Sequence, residues 1–297
     1  MIKTRTQRLR AAVLALVVAA AAAVAAAPAA PAVVEGVQIV EATSEYSSLF
    51  SKVAQPICPA PKVVVGISYR INGPGRNYVH AQMMEVNPDF AGAFATVSAV
   101  ESLAGTPQNW SVTGVAFCSY KPDGYEIQTS YVHSDDWPKM QFAHAECSKG
   151  NTLIGAGGWS YDAHDQQIVL DEIIPGSYKA YVTAYDSMGT VPPSNSYRKW
   201  GVGAVAICAK ALPGLERIAS APVYKSDATR SSSVACPSGK TLMSTGFELT
   251  ESYGRVNPLT VTGLNNPNTT SAYAVESPYG GTTANWALRA WGVCADQ

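Results

Sequence analysis

One nine-residue phrase, running from a tryptophan to a cysteine, occurs three times in this chain of 297 residues. The other three cysteines, Cys58, Cys147 and Cys236, lie 89 residues apart, and each precedes the end of a phrase by 58 to 61 residues. The chain therefore contains a three-fold internal repeat. The copies of the phrase are residues 110–118 (WSVTGVAFC), 200–208 (WGVGAVAIC) and 286–294 (WALRAWGVC).

Alternation with period two predicts that each phrase forms a β-strand. One face carries the Trp, an aliphatic residue, two small residues and the Cys, while the other face is apolar near its end, as at Val115 and Phe117. A strand that is apolar on both faces is covered on both sides. We therefore expect an inner strand in each repeat, with a neighbour packed closely against the small residues.

The repeats have no linker of low complexity between them. Gly36, Gly124 and Gly214 stand at matching distances before the first cysteine of each copy, which gives repeats 36–123, 124–213 and 214–297. Tandem copies without linkers favour one body over three separate domains. We predict an all-β body over residues 33–297, with one sheet of four to six strands for each repeat around a pseudo-three-fold axis.

A turn and a second strand follow the first cysteine of each copy. Pro and Gly at fixed offsets indicate the turn, and a Gly eight residues after the cysteine, at Gly66 and Gly155, indicates a strand that bends or is closely approached. Ser244 stands at that place in the third copy.

The third copy, with Cys-Pro-Ser-Gly-Lys at 236–240 and Gly-Phe-Glu-Leu at 246–249, resembles the repeat of vitelline membrane outer layer protein I. The chain is also similar to a looser group of secreted bacterial proteins with Cys-Pro-x-Gly-Lys and Trp-x-Val…Val-Cys units. The first resemblance implies a β-prism-like body with pseudo-three-fold symmetry and a role as a structural coat. The second implies export.

Residues 1–32 have the pattern of a secretory signal peptide. Lys3, Arg5, Arg8 and Arg10 precede an Ala/Val/Leu run over 11–27 and then small residues suited to cleavage; an uncleaved membrane anchor is the alternative. Without these four basic residues the chain has 17 Lys and Arg against 22 Asp and Glu. An acidic surface argues against nucleic acid and anionic lipid as partners, and we expect no further membrane span.

Six cysteines in an exported chain predict three disulfides. Each repeat contains its own early and late cysteine, so we expect the pairs Cys58–Cys118, Cys147–Cys208 and Cys236–Cys294. Zinc is the competing explanation, but there is no C-x-x-C and no histidine at ligand spacing. We predict no metal and no cofactor.

No motif in the chain assigns a catalytic residue. The four histidines do not recur between copies, and no nucleophile-elbow, zinc-protease or phosphate-loop pattern is present. An acid followed by Ser recurs at Glu101, Asp186 and Glu276. These acids could form three equivalent ligand sites or could end strands by accepting hydrogen bonds. Residues 160–165 with Asp171 offer oxygen ligands for calcium without the EF-hand order.

Aromatic residues outside the repeated phrase are the candidate ligand-binding residues. Trp159, Tyr161 and Asp162 have no counterparts in the other copies, and Trp137 lies in a turn-like segment beside acidic residues. Rings beside carboxylates bind the C–H faces and hydroxyls of sugars. The alternative is that these side chains pack on the body of the protein.

These observations predict a secreted, non-enzymatic β-protein that binds carbohydrate or a cell-envelope polymer. Two alternatives stay open: an extracellular hydrolase with a site between repeats, and a structural envelope or coat protein. The sequence does not predict an oligomeric state.

Overall fold

The computed structural model describes residues 36–102, 105–134, 138–162, 168–187, 200–263, 268–278 and 281–296. The regular structure in these ranges is β-strand, with two short 3₁₀ turns at Pro74–Tyr78 and Pro88–Phe90, which confirms the all-β prediction. Across the same ranges, no helix has the length and apolar character needed to cross a membrane. The predicted signal peptide, 1–32, lies outside the described residues.

Each repeat contributes six strands, and the phrase forms the last of them. The first repeat contains β1 (Gln38–Thr43), β2 (Ser51–Ala54), β3 (Lys62–Asn72), β4 (Val79–Glu85), β5 (Thr96–Glu101) and β6 (Ser111–Tyr120). The second contains β7 (Glu126–Ser134), β8 (Met140–Glu146), β9 (Thr152–Asp162), β10 (Ile168–Pro175), β11 (Lys179–Asp186) and β12 (Trp200–Ala209). The third contains β13 (Glu216–Ala219), β14 (Thr229–Ala235), β15 (Lys240–Thr250), β16 (Val256–Thr262), β17 (Thr269–Glu276) and β18 (Ala287–Asp296).

The strands form three six-stranded antiparallel sheets, and every sheet is shared between two repeats. Sheet 1 has the order β1-β6-β3-β16-β17-β14, sheet 2 has β2-β5-β4-β9-β12-β7, and sheet 3 has β13-β18-β15-β10-β11-β8. Each sheet takes three strands from one repeat and three from another. The prediction of one sheet for each repeat is therefore wrong.

Strand edges explain why the sheets are shared. A repeat on its own would form two three-stranded halves and leave unpaired backbone groups along β3 and β4 of the first copy and their equivalents. Pairing across the seams β3–β16, β4–β9 and β10–β15 satisfies these groups, which would otherwise be exposed edges. Each pair of repeats shares one sheet, so every repeat is joined to both of the others.

The third strands of the repeats, β3, β9 and β15, which follow the first cysteine of each copy, contact one another. A Cβ added to Gly66 would lie 2.6 Å from the Cα of Ser244, and one added to Gly155 would overlap the carbonyl oxygen of Val65. The Thr245 hydroxyl also donates to the Ile67 carbonyl at 2.9 Å. The predicted close approach at these glycines is confirmed.

The three predicted disulfides are present, namely Cys58–Cys118, Cys147–Cys208 and Cys236–Cys294. Each closes a loop of 58 to 61 residues. In the chain-entropy model such a loop corresponds to about 4 kcal/mol of stabilisation. No free cysteine is found among the described residues.

The phrase tryptophans are fully buried, and the recurring acids hold two of them. Trp110 Nε1 donates to Glu101 Oε1 at 2.9 Å, and Trp286 Nε1 donates to Glu276 Oε1 at 3.2 Å. Because a buried indole N–H needs an acceptor, these carboxylates have a structural role. The observed contacts do not favour the interpretation of these acids as ligand sites.

In the second repeat the buried indole has different partners. Trp200 Nε1 donates to the Pro138 carbonyl at 3.0 Å. In the first and third repeats a cation lies over the indole: Lys52 is 4.8 Å from the Trp110 ring centroid and Arg230 is 4.7 Å from that of Trp286. The equivalent residue of the second repeat is Gln141, which instead donates to the Trp200 carbonyl at 2.6 Å.

Candidate functional site

The outer face of sheet 2 carries a groove of about 570 Å³, and we call it the aromatic groove. It contains two of the predicted ligand-binding residues, Trp159 and Tyr161, both on β9. Asp162 ends that strand, but its side chain lies outside the described residues, as does the whole of Trp137. The described lining residues are Gln82, Met83, Tyr131, Trp159, Ser160 and Tyr161.

Two glycines of β12 form the floor on which the rings lie. A Cβ on Gly203 would overlap the six-membered ring of Trp159, with Cδ2 only 2.5 Å away. A Cβ on Gly201 would lie 2.5 Å from the Tyr131 hydroxyl oxygen and 2.7 Å from its Cζ. Both rings therefore lie against bare backbone, and any side chain on these two residues would lift them.

The strand register places the aromatic groups in two rows across the sheet. Trp159 pairs with Met83 of β4 on one side and with Gly203 on the other, and Gly203 pairs with Tyr131 of β7. The next row joins Tyr161, Gly201 and His133. Since adjacent strands lie about 4.8 Å apart, the first row extends about 14 Å from β4 to β7.

The groove is accessible, and its described lining residues are uncharged. Tyr131 is 47% exposed and Tyr161 is 53% exposed, while Trp159 is partly buried and packs against the core. Burial, followed by the proximity of Tyr161, raises the pKa of Tyr131, so its phenol is neutral at physiological pH. The His133 ring stacks on Tyr131 with centroids 5.7 Å apart.

Matching places on the other two sheets carry polar side chains that bind one another. In sheet 1, Arg70 Nε donates to Asn72 Oδ1 at 2.8 Å, and Asn72 Nδ2 donates to Thr113 Oγ1 at 3.0 Å. In sheet 3, Glu248 Oε2 accepts from Arg289 Nη1 at 3.1 Å and from Trp291 Nε1 at 2.9 Å. The symmetry of the repeat is therefore broken at the aromatic groove.

Carboxyl groups converge at the seam between the second and third repeats. Glu172 of β10 is the direct cross-strand partner of Glu248. Burial raises the pKa of Glu172, while a hydrogen bond from the Thr183 hydroxyl at 2.8 Å opposes the shift. Next in the chain, burial raises the pKa of Asp171 to about 8, although the Ser252 hydroxyl donates to its carboxylate.

Asp171 belongs to the calcium pattern considered for residues 160–165, of which 163–165 lie outside the described ranges. Ser160, in the same pattern, donates to the Ile168 carbonyl at 3.4 Å. Within the described residues there is no group of three His, Cys, Asp or Glu side chains arranged to hold a metal ion.

Sequence reasoning missed Gln82, Met83, Tyr131 and the glycine floor. One signal was available, because the second phrase has Gly201 and Gly203 where the first has Ser111 and Thr113. Extra glycine on the outward face of a strand indicates a ring or backbone packed against it. Met83 gave no such signal, since it belongs to another repeat.

Comparisons with known proteins give no assignment. No protein family model matches the chain, and no curated protein matches it. Among solved structures, one similar chain is the T6 backbone pilin of serotype M6 Streptococcus pyogenes, described as a modular three-domain structure decorated with variable loops and extensions. It is 12% identical over 64% of this chain and 55% of the pilin chain, with a TM-score of 0.13. A likeness of this size carries no inference about fold or function.

Proposed function

We propose that this is an exported, non-enzymatic β-protein that binds carbohydrate, either free or as part of a cell-envelope polymer, through the aromatic groove. The observation that carries the proposal is the seating of the Trp159 ring on Gly203 beside two half-exposed tyrosines. The groove volume of about 570 Å³ falls within the range of sites for small ligands.

The lining supplies both kinds of contact that a sugar needs. Aromatic rings cover the C–H faces of a pyranose, and here Trp159, Tyr131 and Tyr161 provide them. The phenol hydroxyls of Tyr131 and Tyr161 offer hydrogen-bond donors and acceptors for sugar hydroxyls. Buried Ser160 already donates to a backbone carbonyl and has a structural role.

The same proposal includes the architecture and the location. A β-prism-like body about a pseudo-three-fold axis is supported by the closed order in which the three sheets share their halves. Export is supported by the three disulfides, which persist in oxidising compartments.

Affinity electrophoresis through gels that contain single polysaccharides tests the proposed binding. We expect retardation of the wild-type protein and little retardation of Trp159→Ala. The matched control is Trp291→Ala, which removes an indole from the outer face of sheet 3. Equal retardation of wild type and Trp159→Ala on every retaining polysaccharide would reject the aromatic groove as the site.

An extracellular hydrolase is the second candidate, and the cross-strand pair Glu172 and Glu248 favours it. Facing residues in a sheet hold their Cβ atoms about 4.5–5.5 Å apart, and glycosidases use paired carboxyls in different protonation states. Arg289 Nη1 forms an ion pair with Glu248 Oε2 at 3.1 Å, and burial raises the pKa of Glu172. This candidate would be established if the wild type releases reducing sugars and both Glu172→Gln and Glu248→Gln do not. It would be excluded if the wild type releases no reducing sugar from any polysaccharide that retards it in the gel.

A further inference from the structure

We infer that the aromatic groove selects a neutral polysaccharide and binds several consecutive sugar units laid across the strands. This inference rests on the proposed function. It excludes acidic cell-envelope polymers and single terminal sugars as the preferred ligand.

The preference for a neutral ligand is inferred from the charges of the four strands around the groove. Strands β4, β7, β9 and β12 contain no Lys or Arg, and their acidic residues are Glu85, Glu126 and Asp162. Within these four described strands, an anionic polymer finds no Lys or Arg side chain to pair with. Such polymers need Arg or Lys for their carboxylates or phosphates.

His80, on β4, is not a source of positive charge at neutral pH. His80 is fully buried, and burial lowers its pKa to about 4, so it is uncharged. His133 stacks on Tyr131 at the far side of the groove.

The binding of several consecutive sugar units is inferred from the length of the first row. Met83, Trp159 and Tyr131 lie on three different strands of one row. Because both rings lie over β12, the contact surface extends from β4 to β12, about 10 Å. This length exceeds one sugar ring. A chain of sugars across the row contacts all three side chains, whereas a monosaccharide contacts only part of them.

The glycine floor defines the shape of the ligand. Because Trp159 and Tyr131 lie against Gly203 and Gly201, the groove stays shallow and its rings stay close to the plane of the sheet. Flat faces of this kind match a ribbon-like polysaccharide segment better than a bulky branched one. Gly203 is thus a positioning residue for Trp159.

The experiment combines retention on polysaccharides attached to a solid support with calorimetry on soluble oligosaccharides. The neutral probes are cellulose, chitin and curdlan, and the anionic probes are pectate and alginate. We expect retention on at least one neutral probe and none on the anionic probes. Salt up to about 0.5 M should leave the affinity unchanged, because salt screens only charged contacts.

Calorimetry with the matching oligosaccharides tests the length. Affinity should rise at least about ten-fold from the monosaccharide to the tetrasaccharide, as each added ring contact contributes. Trp159→Ala and Gly203→Ala should each lower tetrasaccharide affinity about ten-fold, while Tyr120→Ala, which removes an exposed ring from sheet 1, should not. Melting temperatures of all variants confirm that they fold.

The outcomes separate the two levels of the proposal. Preferential retention on pectate or alginate that is lost in salt and in Trp159→Ala would overturn the neutral ligand and leave the groove as the site. Equal affinity for monosaccharide and tetrasaccharide would overturn the extended mode. Binding to no polysaccharide, or binding that Trp159→Ala does not change, would overturn the proposed function as well.

Discussion

The substitution Gly203→Ala perturbs the groove without removing any of its functional groups. The new Cβ would overlap Cε2 and Cζ2 of the Trp159 ring, so the ring must move outward by at least about 1.5 Å to reach an ordinary contact distance. Overpacking costs about 1–3 kcal/mol. Replacing Gly in a strand returns about 0.5–1 kcal/mol, and the partly exposed ring is free to move toward solvent.

We therefore expect Gly203→Ala to lower the free energy of unfolding by about 1 kcal/mol. Its effect on the affinity for a neutral oligosaccharide should be larger, about 1–2 kcal/mol, because the stacking face leaves its position. Urea denaturation and isothermal titration calorimetry measure the two quantities on the same preparation.

A double-mutant cycle with Trp159→Ala supplies the control. When the indole is absent, Gly203→Ala has nothing to displace, so it should stabilise the protein slightly and leave the residual affinity unchanged. The reasoning is refuted if Gly203→Ala destabilises the protein equally in both backgrounds, since the clash would then involve another group.

Three further predictions concern the fold. Trp200→Ala should cost about 3–5 kcal/mol of stability in chemical denaturation, because a fully buried indole is lost, and the folded variant should bind oligosaccharide as the wild type does. Limited proteolysis near Gly124 or Gly214 should release no stable repeat, since each sheet needs strands from two repeats; recovery of a folded third contradicts this. The pKa of Asp171 is raised from 3.8 to about 8, so its contribution to stability is complete below about pH 4 and is lost as the pH rises through 8. The melting temperature of Asp171→Asn should accordingly fall less over that range than that of the wild type, and parallel curves would show that Asp171 does not carry the effect.

The parts of the fold that follow from local pattern could be predicted from the sequence. Period-two alternation predicts the phrase strands, and the spacing of the cysteines predicts their pairing. The sharing of sheets could not be predicted in this way. The seam between β10 and β15 consists of two cross-strand pairs, Glu172↔Glu248 and Ile173↔Phe247, which is too short to leave a pattern in the sequence. The same apolar faces would also be buried if each repeat paired with itself.

The candidate site was predictable to the same extent. Trp159 and Tyr161 were identified because the other copies lack them. Met83 reaches Trp159 only because β4 of the first repeat joins β9 of the second, so no reading of one repeat could include it. Tyr131 lies on β7, two strands away from β9 in the sheet, and only the outward glycines Gly201 and Gly203 pointed to a ring from that direction.

The most direct test of the aromatic groove as the ligand site is an NMR titration that follows the indole N–H signals with a neutral tetrasaccharide. Trp110, Trp200 and Trp286 are fully buried and donate to Glu101, to the Pro138 carbonyl and to Glu276, so their signals should stay in place. The signal of Trp159, assigned through its loss in Trp159→Ala, should shift on binding. A titration in which the tetrasaccharide binds and the Trp159 signal does not move, while that of Trp137 or Trp291 does, would contradict the proposed site.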